Sequence, residues 1–135
     1  MEKTREDLIA DMPEGHETVL VVEDNDLVLE LVAEMMKDLG YHVLTAIDAR
    51  SALWIIEHDN GIQLLFTDVM MPDHMNGIEL AREARRSRPD LKVLLTSGYA
   101  AFGPTGEAST EFPVLPKPYR RAELARRVRA TLDAA

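Results

Sequence analysis

The sequence contains no cysteine, which excludes disulfide frameworks, thiolate metal sites, redox pairs and cysteine nucleophiles. Long apolar runs are also missing: the longest, such as Thr18–Val22 and Leu64–Phe66, are far too short to span a bilayer. The first residues are polar and lack the apolar core that signal peptides carry. These absences predict a cytoplasmic protein with no membrane partner.

The length of 135 residues predicts a single folded domain. A domain of this size buries roughly two thirds of the surface of its unfolded chain, so its core needs no covalent staples. Hydrophobic residues make up 46% of the chain and charged residues 29%, which is typical of soluble proteins. Residues 1–17 are mostly polar, with Pro13 and Gly15 close together, and are predicted to be a tail or linker before a domain over 18–135.

Acidic and basic residues are unevenly distributed along the chain, which has a net charge of −9. Residues 1–80 contain 18 acidic and 4 basic residues, whereas residues 81–135 contain 6 acidic and 11 basic ones. A duplex-binding protein must neutralise phosphates, so nucleic acid is not an expected partner of so acidic a domain. The basic carboxyl-terminal part is interpreted as a solvated helix face or as a docking face for an acidic partner.

The spacing of apolar residues predicts strands and helices in alternation. Short runs of apolar and β-branched residues predict five strands at Thr18–Val22, Tyr41–Ala46, Ile62–Thr67, Leu91–Thr96 and Phe112–Leu115. Helical spacing predicts four helices. The first begins at a cap at Asn25 or Asp26 and stops at Gly40, and the second begins after a cap at Asp48. The other two are predicted at Gly77–Ser87 and Tyr119–Leu132. This order is typical of an α/β fold, with a doubly wound parallel sheet of five strands and helices on both faces.

Two side chains and one segment within this pattern carry specific expectations. Leu31 is expected on the inward face of the first helix, and Trp54 is expected as a partly buried anchor of the second. Ala100–Glu111 lies where a further helix would complete the alternation, but it contains two glycines and a proline. That fourth helix is therefore predicted to be short, displaced or partly disordered.

Polar residues follow the predicted strands at the points where the strands end. Glu23 and Asp24 follow the first strand, and Asp68 follows the third. Ser97 follows the fourth strand, and Lys117 follows the fifth. Because ligands of open α/β sheets bind outside the carboxyl ends of the strands, we expect these side chains to converge on one edge of the sheet.

Three carboxylates at one point repel one another and need a counter-charge, which a divalent cation with oxygen ligands supplies. The absence of cysteine and of suitably spaced histidines disfavours zinc, so Mg²⁺ is the predicted ion. The ammonium of Lys117 and the hydroxyl of Ser97 are suited to bind a phosphoryl group. The set indicates phosphoryl transfer, with Asp68 as the best candidate for a carboxylate nucleophile.

Four segments together resemble the receiver domain of two-component response regulators, over residues 18–133. They are Val21-Val22-Glu23-Asp24-Asn25, Thr67-Asp68-Val69-Met70-Met71-Pro72, Thr96-Ser97-Gly98 and Lys117-Pro118. Each segment alone is a weak signal, but all four occur in order and each lies at a predicted strand end. The resemblance implies the flavodoxin-like strand order 2-1-3-4-5. The sequence around Ser97 and Lys117 is similar to receivers of hybrid histidine kinases and to some stand-alone receivers.

The resemblance implies a role for each residue that would handle the phosphoryl group. Asp68 accepts it from a phosphohistidine on a histidine kinase or a histidine phosphotransfer domain. Ser97 and Lys117 bind the phosphoryl oxygens. The Lys117–Pro118 peptide bond is expected to be cis, which only an X-Pro bond adopts at low cost.

The resemblance also implies a Mg²⁺ site made by Asp68 and its neighbours. Asp24 and Asp68 bind the ion directly, and Glu23 acts through water. The backbone carbonyl of Met70 is the remaining protein ligand, so the Met70 side chain is free to vary.

Two positions concern how a phosphorylated receiver changes shape. Val114 occupies the position where family members usually carry a Tyr or Phe that swings inward, a movement that valine cannot make. Tyr99 is a second candidate, either for part of the switch or as a shield of the phosphoryl group against water. Thr96 is the alternative to Ser97 as the hydroxyl donor, and Ser97 is preferred because Gly98 follows it.

The sequence therefore predicts a phospho-acceptor that catalyses its own aspartyl phosphorylation and turns over no external substrate. An output domain is not expected after the last helix, so the signal is expected to leave by protein contact, by phosphate relay or within a longer parent protein. Three alternatives stay open: a receiver-fold adaptor that is not phosphorylated, a Mg²⁺-dependent phosphotransferase acting on a small phosphoester, and a flavin-binding protein of the same architecture. A homodimer is a further alternative, with Arg126, Arg127 and Arg129 pairing with acids across a two-fold axis.

Overall fold

The computed structural model of the chain describes residues 12–71, 75–98 and 112–134. The strands are β1 (Thr18–Val22), β2 (His42–Ala46), β3 (Ile62–Asp68), β4 (Lys92–Ser97) and β5 (Val114–Pro116). The helices are α1 (Asp26–Asp38), α2 (Ala49–His58), α3 (Gly77–Ser87) and α4 (Arg121–Asp133). All neighbouring strands pair in parallel, in the order β2-β1-β3-β4-β5. The predicted fold class and strand order are confirmed.

The predicted bounds match the structure to within about two residues at each strand and helix end, where assignments by different criteria themselves vary. Thr18–Val22 and Gly77–Ser87 agree in full. β4 and β5 each begin and end one or two residues later than predicted, so Ser97 belongs to its strand. The predicted irregular helix at Ala100–Glu111 and the switch candidate Tyr99 lie outside the described residues.

Helices cover both faces of the sheet because the central strands are apolar on both sides. On one face α2 and α3 pack against inward residues such as Leu20, Leu65 and Leu95. On the other face α1 and α4 pack against residues such as Val19 and Phe66. Polar residues follow the carboxyl ends of the three central strands and of β5, at one edge of the sheet.

Capping residues mark where the helices begin and end. The side chain of Asn25 accepts hydrogen bonds from Leu27 and Val28, which begins α1 directly after the acidic pair. α1 ends before Gly40, whose φ of 98° is in the left-handed region that favours glycine. The side chain of Asp48 caps α2 as predicted.

Two expectations about burial are wrong. Leu31 was expected to face inward, but its side chain is 60% exposed on α1. The apolar face of this helix is wider than the part that packs against the sheet. Val32 and Met36 occupy that packed part. Trp54 is 61% exposed rather than partly buried, and its ring stacks on His58, with 4.1 Å between ring centroids.

The residues before β1 contact the amino end of the sheet. The Gly15 N–H donates a hydrogen bond to the Leu39 carbonyl, and Arg129 of α4 donates to both carboxylate oxygens of Glu17. The guanidinium of Arg129 lowers the pKa of Glu17 to about 2. Arg127 donates to the carbonyl of Val114. Two of the three arginines considered for pairing across a two-fold axis are therefore engaged within the chain.

None of the helices in the described part of the chain combines the length and apolar character needed to cross a bilayer.

Candidate functional site

Three carboxylates meet at the carboxyl edge of the sheet. Glu23 and Asp24 follow β1, and Asp68 is the last residue of the neighbouring strand β3. Each contributes a carboxylate oxygen that lies within 4.8 Å of the other two. Glu23 and Asp68 are each only 6% exposed, whereas Asp24 faces solvent. The structure thus brings together the three acids that the strand ends predicted.

Lys117 extends its ammonium group into this cluster from the end of β5. Its backbone N–H donates to the Ser97 carbonyl at 2.9 Å, which fixes the chain just after the strand. The Nζ atom lies 2.6 Å from Asp68 Oδ2 and 3.4 Å from Glu23 Oε2. The Lys117–Pro118 peptide bond is cis, as expected. One ammonium group therefore contacts two of the three carboxylates.

The electrostatics of the cluster are not balanced by this one cation. Burial and the hydrogen bond with Asp68 raise the pKa of Glu23 to about 7, although the Asn25 N–H and the charge of Lys117 act in the opposite direction. Burial alone would lower the pKa of Lys117, but the hydrogen bond and charge of Asp68 raise it above its usual value. The folded chain holds more negative charge at this edge than its own residues neutralise.

The backbone around Asp68 holds its carboxylate in one orientation. The Met70 N–H donates to Asp68 Oδ1 at 3.0 Å, and the Val69 N–H donates to the Thr96 carbonyl at 2.9 Å. Gly77, the first residue of α3, packs against the Asp68 backbone: a β-carbon there would lie 2.2 Å from the Asp68 carbonyl oxygen. This close approach requires glycine, a constraint that sequence reasoning did not identify. The Met70 side chain is 65% exposed.

The two hydroxyls of β4 have different partners. Thr96 Oγ1 donates to the Leu115 carbonyl of β5 at 2.8 Å, so this hydroxyl is used in holding the edge of the sheet. Ser97 Oγ donates to the carbonyl of the following residue, Gly98, at 2.9 Å. Ser97 is 1% exposed and lies at the strand end nearest the acids. A local contact of this kind can be exchanged for another acceptor more readily than the bond that Thr96 makes to a neighbouring strand.

Tyr119 is a neighbour of the site that sequence reasoning missed. Its ring packs edge-on against Phe66 of β3, with 6.2 Å between centroids. Burial, together with the charges of Glu23 and Asp68, raises its pKa to about 12. The sequence signal for a place near the site was the position of Tyr119, two residues after Lys117 and directly after the cis proline. Val114, the switch candidate on β5, is half-buried against the core.

The donor set fits a hard divalent cation. Every side-chain donor in the cluster of Glu23, Asp24 and Asp68 is a carboxylate oxygen, the ligand type that Mg²⁺ takes in proteins. The exposed carboxylate of Asp24 leaves one side open to solvent, and Mg²⁺ usually keeps several waters. Mg²⁺ would also offset the negative charge of Asp68, which adds to burial in raising the pKa of Glu23.

Comparison with known proteins agrees with this geometry. The pattern of the family described as "Response regulator receiver domain" matches residues 19–129. The sensor kinase CckA of Brucella abortus is 38% identical over 122 residues, which cover 88% of this chain but only 13% of that protein. The response regulator receiver protein CpdR of the same organism is 34% identical over 119 residues, covering 87% of this chain and 98% of CpdR.

Solved structures agree as well. The crystal structure of the receiver domain from the hybrid histidine kinase CckA is 33% identical, with a TM-score of 0.71, and the match covers 86% of this chain and 99% of that one. A receiver domain protein from Methanospirillum hungatei, described as CheY-like, is 27% identical with a TM-score of 0.74, covering 88% and 95% of the two chains. The fold and the sequence pattern thus point to the same family.

Proposed function

The chain belongs to the family of response regulator receiver domains, and from this premise we propose that Asp68 accepts a phosphoryl group from a phosphohistidine of a histidine kinase or phosphotransfer protein. The observation that carries the proposal is the 2.6 Å contact between Lys117 Nζ and Asp68 Oδ2 inside a cluster of carboxylates. A carboxylate can act as a nucleophile, and the ammonium group beside it can stabilise the negative charge of an incoming phosphoryl group.

In the proposed transfer an oxygen of Asp68 attacks the phosphorus atom of the phosphohistidine. The new P–O bond forms as the P–N bond breaks, and the electron pair of that bond stays with the imidazole nitrogen of the donor. The hydrogen bond from the Met70 N–H holds the carboxylate in place, which supports the attack by orienting it in advance. Lys117 neutralises charge on the phosphoryl oxygens.

We further propose that Asp24 and Asp68 bind Mg²⁺ directly, with the backbone carbonyl of Met70 as another ligand and Glu23 acting through water. When bound, the ion offsets the repulsion between the carboxylates and the phosphoryl oxygens. The all-oxygen donor set and the solvent-facing position of Asp24 support this assignment.

Phosphorylation adds negative charge to a site that is already acidic, and we propose that Ser97 and Lys117 respond to it. The Ser97 hydroxyl, which donates to the Gly98 carbonyl in the structure, would turn to donate to a phosphoryl oxygen. Lys117 would exchange Asp68 Oδ2 for the same group. Because Val114 cannot swing as an aromatic ring does, the change would pass through Gly98, whose carbonyl the Ser97 hydroxyl would release, to a protein partner.

The donor is proposed to dock on α1, next to the site. Leu27 and Leu31 are 78% and 60% exposed on this helix, one turn apart, and α1 begins two residues after Asp24. Exposed apolar side chains close to a reactive centre are typical of a protein interface. Asp26 and Glu30 flank them, so the fitting partner has an apolar patch with basic residues around it.

Replacing Leu27 and Leu31 together with serine should slow phosphoryl transfer from a protein donor about tenfold, because the apolar area buried on docking is lost. The measurement is the transfer rate from a purified histidine kinase or phosphotransfer protein that phosphorylates the wild-type chain. Labelling by acetyl phosphate is the control and should be unchanged, since this small donor needs no docking surface. Equal slowing with both donors would contradict the docking role and indicate damage to the site.

The proposed function is tested by intact mass spectrometry after incubation with acetyl phosphate and Mg²⁺. One phosphoryl adduct per chain is expected, and EDTA should prevent it. Absence of any adduct from acetyl phosphate and from a phosphohistidine protein would favour an adaptor that is not phosphorylated. Release of many equivalents of phosphate from a small phosphoester would instead favour a phosphotransferase acting on small molecules.

A further inference from the structure

The outer surface of α2 has a stripe of exposed side chains, where Trp54 makes one ring contact, its stacking on His58 of the same helix. Arg50, Trp54 and Glu57 lie four and three residues apart, so they stand one above another on the same side of the helix. Trp54 is 61% exposed and is the only tryptophan in the chain. The ion pairs among the described residues use neither Arg50 nor Glu57.

A groove runs beside this stripe, between α2 and β2, the strand at one edge of the sheet. It has a volume of about 500 Å³ and is lined by Val43, Leu44 and Thr45 of β2, by Trp54, Ile55 and His58 of α2, and by Asp59, which follows that helix. Covering an exposed tryptophan and a groove with mainly apolar walls removes few polar groups from water. Tryptophan is also among the residues most enriched in the centres of interfaces.

The charges of the stripe on one copy of the chain are complementary to those of the same stripe on a second copy. The helix α2 contains one strongly basic residue and one acidic residue, at opposite ends of the stripe, with Trp54 between them. If two copies of α2 lie antiparallel with a two-fold axis close to Trp54, Arg50 of each copy comes next to Glu57 of the partner subunit. A two-fold interface brings the same patch of both subunits together, so the patch must be complementary to a second copy of itself.

Charge also distinguishes this face from the rest of the acidic surface. The chain carries a net charge of −9, so two copies repel each other in most orientations. The exposed leucines of α1 lie among acids such as Asp26, Glu30 and Glu34, which would repel a second copy. Arg50 and Glu57 offset each other along the α2 stripe, so a second copy meets less repulsion there than at the leucines of α1.

We propose that α2 is a homodimer interface, in which a second copy of this chain packs antiparallel across Arg50, Trp54 and Glu57. The two tryptophans and the grooves beside them supply the buried apolar area, and the two Arg50–Glu57 pairs set the orientation. Exposed ion pairs contribute little each, so the tryptophan carries most of the affinity. No residue of the stripe belongs to the acidic cluster or pairs with Lys117.

The test uses the purified full chain, with sedimentation velocity and tryptophan emission measured over a series of concentrations. The weight-average mass should rise from monomer towards dimer, and the emission of Trp54 should shift to shorter wavelength over the same range as the indole leaves water. Trp54→Ala should weaken the dimer at least about tenfold. Because this side chain is exposed, the variant should keep the thermal stability of the wild type.

Charge reversal gives the sharper test. Arg50→Glu and Glu57→Arg each turn two attractive pairs into two repulsive ones and should each weaken the dimer about fivefold, whereas the double variant should restore it to near the wild-type affinity. Arg86→Glu on α3 and Glu34→Arg on α1 make the same changes in net charge at other exposed positions, and they should have much smaller effects. A wild-type chain that stays monomeric throughout, or a double variant as weak as the single ones, would overturn the proposal.

Discussion

Replacing Asp68 with asparagine should abolish the phosphoryl adduct formed with acetyl phosphate and Mg²⁺. An amide oxygen is a poor nucleophile, and the variant also removes the carboxylate that binds Lys117 at 2.6 Å. Asn is similar in shape to Asp, so the hydrogen bond from the Met70 N–H can be kept and the variant should fold. Intact mass spectrometry measures the adduct, and thermal unfolding checks the fold.

Two further variants determine how specific that loss is. Asp90→Asn changes an exposed aspartate in the turn before β4, and it should be labelled as fast as the wild type. Lys117→Ala should keep Asp68 as the acceptor but slow labelling about a hundredfold, the cost of removing one group that stabilises developing negative charge. An adduct that persists in Asp68→Asn would show that another residue is the acceptor, and the proposed role of Asp68 would be wrong.

The second large effect is a loss of stability as the pH rises in the absence of divalent cations. Burial and the hydrogen bond with Asp68 raise the pKa of Glu23 to about 7 in the folded chain, above the usual value of 4.5. Between these two values the folded state binds more protons than the unfolded state, so the free energy of unfolding falls as the pH rises. A shift of this size corresponds to about 3 kcal/mol.

Urea unfolding in EDTA between pH 5 and pH 8 measures this effect, and Glu23→Gln isolates it from the titration of histidines elsewhere. The variant should match the wild type near pH 5, where Glu23 is protonated in the folded chain, and should be the more stable protein near pH 8. Adding Mg²⁺ at pH 8 should restore stability to the wild type, because a ligand that binds only the folded state stabilises it. Parallel pH profiles for the two proteins would contradict the raised pKa of Glu23.

Much of the fold could be predicted because its signals are local. Apolar spacing, caps such as Asn25 and Asp48, and the stop at Gly40 each depend on residues within one or two turns of one another. The positions of the three acids and the lysine were predictable as well. In a parallel sheet every strand ends at the same edge, so residues that follow different strands meet there without any detail of packing.

Other features depend on contacts between residues far apart in the sequence. Leu31 and Trp54 have the same apolar character as their buried neighbours, and only the width of the face that the sheet covers leaves them in solvent. Thr96 and Ser97 are adjacent hydroxyls, and only the pairing of β4 with β5 gives Thr96 its partner at the Leu115 carbonyl. The need for glycine at position 77 arises because α3 approaches the Asp68 carbonyl closely.

The sequence by itself therefore determined the alternation of strands and helices, the strand ends at which charged groups gather, and the chemical types of those groups. Only the tertiary structure decided which groups touch: that Lys117 lies against Asp68 rather than Asp24, and that Glu23 is buried enough for its pKa to rise. The physical reason is distance. The periodicity of strands and helices depends on residues that are close in the sequence. Desolvation and charge pairing depend on distances of a few ångströms between side chains of different strands, which only the packed core brings together.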